Sequence, residues 1–152
     1  MRVLLLMVTA CSAVAADLPN VVFLEPVGKV GTAAAEIREN MPLYRPVADA
    51  SKYEPWLHNE SAERALRLYA QAARIVAPGA SLPDYYVALV PGGNHAAVGF
   101  RLQTADGVKE YPRAAYILLD AEPERFATTM FHETGHVVTD MLAGGRRLDG
   151  AE

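Results

Sequence analysis

Residues 129–138 constrain this chain more than any other stretch. They read Thr129-Met130-Phe131-His132-Glu133-Thr134-Gly135-His136-Val137-Val138 and contain the pattern His-Glu-x-x-His. On an α-helix, positions i and i+4 share a face, so the rings of His132 and His136 can reach one metal ion. Neutral imidazole is a good zinc ligand, and a catalytic zinc keeps one coordination position open for water. Glu133 is rotated about 100° from His132, which suits it to take a proton from that water rather than bind the ion. Three residues thus supply most of a hydrolytic centre.

The phasing of the flanks supports a helix here. With about 100° per residue, Ala127, Phe131, Val137, Val138, Met141 and Leu142 fall on one broad apolar face. Thr128, Thr129, Arg125, His132, Glu133, His136, Thr139 and Asp140 fall opposite, with Thr134 and Glu124 as exceptions on the apolar side. Such a helix is expected to pack its apolar side inward and turn the histidine face to a cleft. Gly135 costs about 1 kcal/mol relative to Ala in mid-helix and calls for a packing or functional reason.

At 152 residues there is room for one domain with a core of its own. An apolar fraction of 51% with 21% charged residues describes a globular chain, and a net charge of −4 without basic runs argues against nucleic acid as a partner. Residues 1–16 read as an export signal: Arg2, an apolar run from Val3 to Ala10, then the small residues Ala13 to Ala16. The mature chain is then expected to start near Asp17, in the periplasm or outside the cell. Val8-Thr9-Ala10-Cys11 also resembles a bacterial lipobox, so a lipid anchor through Cys11 is the alternative. The rest of the chain has no cysteine, hence no disulfide and no thiolate ligand.

Past the leader, residues 17–60 form an N-terminal segment. Val21 to Leu24 reads as a strand, and Ala33 to Asn40 as a short helix capped by Thr32 and halted by Pro42. Tyr44 to Trp56 has no clear period and reads as irregular, with His58 at the surface. Ser61 starts a helix with Ala65, Leu68, Tyr69, Ala72, Ile75 and Val76 at helical spacing, ended by Pro78-Gly79. Strands are expected at Tyr85 to Val90, Ala97 to Leu102 and Tyr116 to Leu119, the first two as a hairpin. His95 lies in the turn between them and reads as solvent-facing. Pro123 suits the first turn of the last helix.

This order of elements resembles the N-terminal part of the zincin metallopeptidase domain. The run from His132 to Asp140 is most similar to the thermolysin-type active-site helix of the gluzincin branch, including Val138-Thr139-Asp140 after the second histidine. Thr139 and Leu142 stand where metzincins carry Gly and a further ligand. The resemblance implies an α+β fold, a zincin-like catalytic subdomain spanning 61–152, with a small mixed sheet packed on helices and the active-site helix last. It also implies Zn²⁺ held by His132 and His136, Glu133 as catalytic base, a peptide or protein substrate, and Ala114 to Leu119 as the rim that pairs with it. A gluzincin takes its third ligand from a later helix, which places it beyond Glu152, so the expectation is the front part of a longer protein. Asp149 and Glu152 are acidic but lie in a Gly-rich tail. Asp140 is about 12 Å along the helix from His132, too far to share its ion, and is expected to orient His136 or a neighbouring backbone group instead.

The function expected on these grounds is an exported zinc metallopeptidase. The rival expectations are a non-catalytic cell-envelope protein with a vestigial motif and a zinc hydrolase acting on something other than peptides.

Overall fold

The structure, a computed structural model, describes residues 17–31 and 34–144. The export signal, Cys11, the Thr32 cap, Asp149 and Glu152 lie outside the described residues. The elements are β1 (Val21–Pro26), α1 (Ala34–Asn40), β2 (Leu43–Pro46), a 3-10 turn (Glu54–Leu57), α2 (Glu60–Val76), β3 (Tyr85–Leu89), β4 (Asn94–Thr104), β5 (Gly107–Leu119) and α3 (Pro123–Leu142).

The five strands close into a barrel in the order β1-β2-β4-β5-β3, with β3 returning to β1. The expected α+β fold, a small mixed sheet packed on helices of zincin type, is therefore corrected to a closed barrel with α2 and α3 packed outside it. Closure depends on β2, most of which falls in the stretch expected to be irregular. Four residues long, β2 runs antiparallel to β1 through Glu25↔Arg45 and parallel to β4 through Leu43↔Arg101 and Tyr44↔Leu102. Arg101 reinforces the seam, donating from its backbone N–H to Pro42 O at 2.9 Å and from Nε to Met41 O at 2.9 Å. A strand this short and flanked by prolines carries no periodic signal, and its pairing comes entirely from partners distant in sequence.

The expected hairpin of β3 with β4 is also corrected. β5 lies between them, parallel to β3 through Val87↔Ile117 and antiparallel to β4 from Asn94↔Leu119 to Thr104↔Gly107. The hairpin is β4–β5, turned at Ala105-Asp106. Both strands are longer than their apolar runs because their far ends are exposed and polar. Midway the register breaks between Val98 and Phe100, where Gly99 sits at φ +84. A Cβ on Gly99 would lie 3.1 Å from the Pro112 carbonyl oxygen, so the missing side chain lets β5 bulge towards it. The bulge bends the hairpin: its tip half carries the residues that meet β2, and its other half lies under α3.

Alternation along the strands builds two cores. Phe23, Tyr85, Val87, Leu89, Ile117 and Leu119 point to the helices and pack with Ala65, Tyr69, Phe126, Met130 and Val137. Leu24, Tyr44, Ala88, Val90, Ala97, Phe100, Tyr116 and Leu118 fill the barrel with Ile37 of α1. Burial on both faces explains why Tyr85 to Val90 and Tyr116 to Leu119 read as continuous apolar runs. Helix α2 is capped by Asn59, whose Oδ1 accepts from the Ser61 N–H at 2.9 Å, so the helix starts one residue before Ser61. Its buried face is Ala62, Ala65, Leu66, Tyr69, Ala70, Ala72 and Ala73, whereas Ile75 and Val76, expected inside, are exposed at the helix end. Among the described residues no helix is long and apolar enough to cross a membrane.

Candidate active site

Helix α3 spans Pro123–Leu142, with Pro123 in the first turn where its missing N–H costs nothing. The strand before it delivers it to the barrel wall. Asp120 ties that junction to the start of β4: its Oδ2 accepts from the Gly92 N–H at 3.0 Å, and its own N–H donates to Gly93 O at 3.0 Å. The beginning of β4 is thereby held beside the first turns of α3.

His132 and His136 are exposed, with ring centroids 5.1 Å apart and planes at 75°. This is the expected one-turn juxtaposition. Glu133, between them in sequence, is buried, with 4% of its surface exposed. Burial holds its carboxyl above the usual carboxylate range. His132, His136 and His95 pull in the opposite direction, as does a hydrogen bond from the Ala96 N–H, and these do not overcome the burial.

The helix face differs from the wheel in both directions. Glu133 and Asp140, on its polar side, are buried, while Phe131 and Leu142 are 37% and 52% exposed. Arg64 of α2 lies over the Phe131 ring at 5.2 Å, which lets that ring remain at the surface. Thr134, the apparent exception on the apolar side, is explained by Tyr85. The two hydroxyls meet at 2.5 Å, and Thr134 Oγ1 also donates to Met130 O at 2.6 Å. A hydroxyl among core-facing residues was the one signal in the sequence that a buried polar partner was needed. Tyr85 and the Ala96 amide were missed because neither residue type advertises such a role.

His95 is a strand residue, not a turn residue. It is the second residue of β4, opposite Leu118, half-buried and near enough for its charge to act on Glu133. Asp140 is buried one turn beyond His136 and takes part in a polar or electrostatic contact of its own. It also lines a cleft of about 720 Å³ with Tyr69, Tyr86, Val98 and Met141. His58 is exposed at the end of the 3-10 turn. No Cβ clash explains Gly135, since nothing lies within 4 Å of where one would stand.

The expected rim strand is corrected as well. Ile117 to Leu119 is flanked by β3 and β4, leaving that stretch no free edge. The open edge is the first half of β4. Asn94 to Val98 pair with β5 on one side, while β2 reaches β4 only at Arg101 and Leu102. This open edge faces the carboxylate of Glu133 through Ala96.

For a metal, the fit is partial. His132 and His136 offer two nitrogen donors on an exposed face, which suits zinc, but the described residues contain no group of three or more His, Cys, Asp or Glu placed to hold an ion. Comparison with known proteins finds no matching family model, no matching curated protein and no matching solved structure. The resemblance to the gluzincin branch of the zincins is therefore withdrawn. With no family match, a closed barrel and no three-ligand group, the likeness is confined to the sequence of one helix.

Proposed function

We propose that this protein is an exported zinc-dependent hydrolase of peptide bonds, with His132 and His136 as two of the metal's ligands and Glu133 as the proton acceptor. One observation carries the reading: a buried carboxylate of raised proton affinity sits beside two exposed imidazoles at the open edge of a strand. Zinc bound at such a pair supplies a Lewis acid, which acidifies water and polarises a carbonyl. Glu133 takes the proton of the attacking water on its carboxylate and gives it to the leaving amine. Burial serves that role, because an acceptor with proton affinity moved towards neutral pH can also act as a donor. The Ala96 N–H holds the carboxylate in place between turnovers.

Peptide as the substrate class rests on the edge of β4. An extended chain can add beside Asn94–Val98 through the main-chain groups of that edge other than the Ala96 N–H, which Glu133 occupies, and this brings its own carbonyls beside Glu133. Placement outside the cytoplasm rests on the leader at 1–16, with Cys11 as the alternative anchor.

The test is Glu133→Gln beside His132→Ala, with zinc content and peptide hydrolysis measured on each. Glu133→Gln is expected to keep zinc and lose on the order of 10²–10⁴ in rate, the usual share of a general base. His132→Ala is expected to lose the metal. Zinc loss in Glu133→Gln, or hydrolysis retained by it, would count against the assignment. A second reading, a non-catalytic cell-envelope protein, draws on the absence, among the described residues, of a group of three or more donors placed to hold an ion. Absence of stoichiometric zinc from the wild-type protein would favour it.

A further inference from the structure

We propose that Tyr85 is a positioning residue of the metal site, acting through Thr134 to set the rotation of α3 at the level of His132, Glu133 and His136. This rests on the metal-site reading above. The hydrogen-bond directions can be assigned. Thr134 has one hydroxyl proton and donates it to Met130 O, one turn back, at 2.6 Å. Its oxygen is then the acceptor of the 2.5 Å contact, and the Tyr85 O–H is the donor. The result is a relay from strand β3 to the helix backbone, ending on the carbonyl two residues before His132.

The relay lies within an apolar core. Tyr85 is 2% and Thr134 0% exposed, among Tyr69, Val87, Met130 and Val137. Apolar contacts in such a core tolerate a small roll or slide of the helix. Two buried hydroxyls do not, because either motion leaves a donor or acceptor without a partner and without water. The polar pair therefore specifies one rotation of α3 where packing alone permits a range. Thr134 follows Glu133 directly and lies two residues from each histidine, so the pinned point is the centre of the motif. Glu133 is also close enough for its charge to act on the Tyr85 hydroxyl.

The experiment uses the full chain as wild type, Tyr85→Phe, Thr134→Ser and Thr134→Val. Ile117→Val serves as a control for loosening the same core away from the relay. Zinc affinity is read by competition with a chromophoric chelator, ligand geometry by the visible spectrum of the cobalt-loaded protein, and fold by thermal melting. Tyr85→Phe and Thr134→Val are expected to lose about 10- to 100-fold in zinc affinity, the range for residues that orient ligands, with an altered cobalt spectrum. Thr134→Ser keeps the hydroxyl and is expected to match wild type. Ile117→Val is expected to melt lower with its metal site unchanged. Wild-type zinc affinity and cobalt spectrum in Tyr85→Phe would overturn the positioning role while leaving the metal site standing. Failure of the wild type itself to bind zinc would overturn both.

Discussion

The backbone N–H of Ala96 on β4 donates to the carboxylate of Glu133 on α3, joining the open edge of the barrel to the centre of the His-Glu-x-x-His helix. The bond favours the charged carboxylate and opposes the effect of burial. Ala96→Pro removes the donor at an edge position, where proline is best tolerated in a sheet. With the bond gone, the carboxyl holds its proton to higher pH. The acid limb of the pH–rate profile is then expected to move to higher pH, with thermal stability little changed. A limb that stays in place would show that the amide does not govern Glu133.

Gly99 is the point at which the β4–β5 hairpin bends. Its φ of +84 strains any side chain, and a Cβ would stand 3.1 Å from Pro112 O, closer than an ordinary contact. Gly99→Ala is expected to destabilise the fold by about 1–3 kcal/mol, the cost of holding a non-glycine residue in that conformation. Denaturant unfolding of the two proteins measures it, and a difference near zero would mean that the bulge can be redrawn without strain.

Gly135 presents the opposite case, with open space where a Cβ would go. Gly135→Ala is expected to stabilise the metal-free protein by about 0.5–1 kcal/mol through helix propensity alone. Thermal melting checks the gain. Weaker zinc binding in a stabilised Gly135→Ala protein would identify the site, not packing, as the reason for the glycine.

Buried phenols give the fold an alkaline limit. Burial pushes Tyr44 and Tyr69 from 10.0 up to about 12. Below pH 10 both are protonated in the folded and unfolded chains, and neither titrates. Between about pH 10 and 12 only the unfolded chain loses these protons. Each tyrosine then withdraws about 1.4 kcal/mol of stability per pH unit. Stability is therefore expected to fall steeply above pH 10, and less steeply in Tyr44→Phe. Unfolding curves across that range, with phenolate absorbance followed in parallel, report both quantities.

Much of the candidate site is written locally. His132 and His136 needed only helical geometry to meet, and α3 runs from Pro123 to Leu142 as the pattern of apolar residues and the proline imply. Strand β3 was legible as an apolar run, and the ends of α2 were legible to within a residue or two. Less legible was which side of α3 would be buried. The wheel puts Glu133 and Asp140 with the polar residues, yet both are buried in the folded chain, Glu133 beside β4. Phe131 was placed inside on hydrophobicity, but Arg64 covers its ring at the surface instead.

What the sequence by itself determined, then, is the helix and the juxtaposition of its three polar residues, since these depend on spacings of one to four residues. The barrel was decided only by tertiary structure. Its closure joins Val21 to Tyr85, Leu43 to Arg101 and Val87 to Ile117, pairs whose register is set by mutual burial across distant segments. The same holds for the contacts that tune the site. The Ala96 amide and the Tyr85 hydroxyl reach Glu133 and Thr134 from separate strands, and no local pattern carries the position of a partner that folding brings from elsewhere.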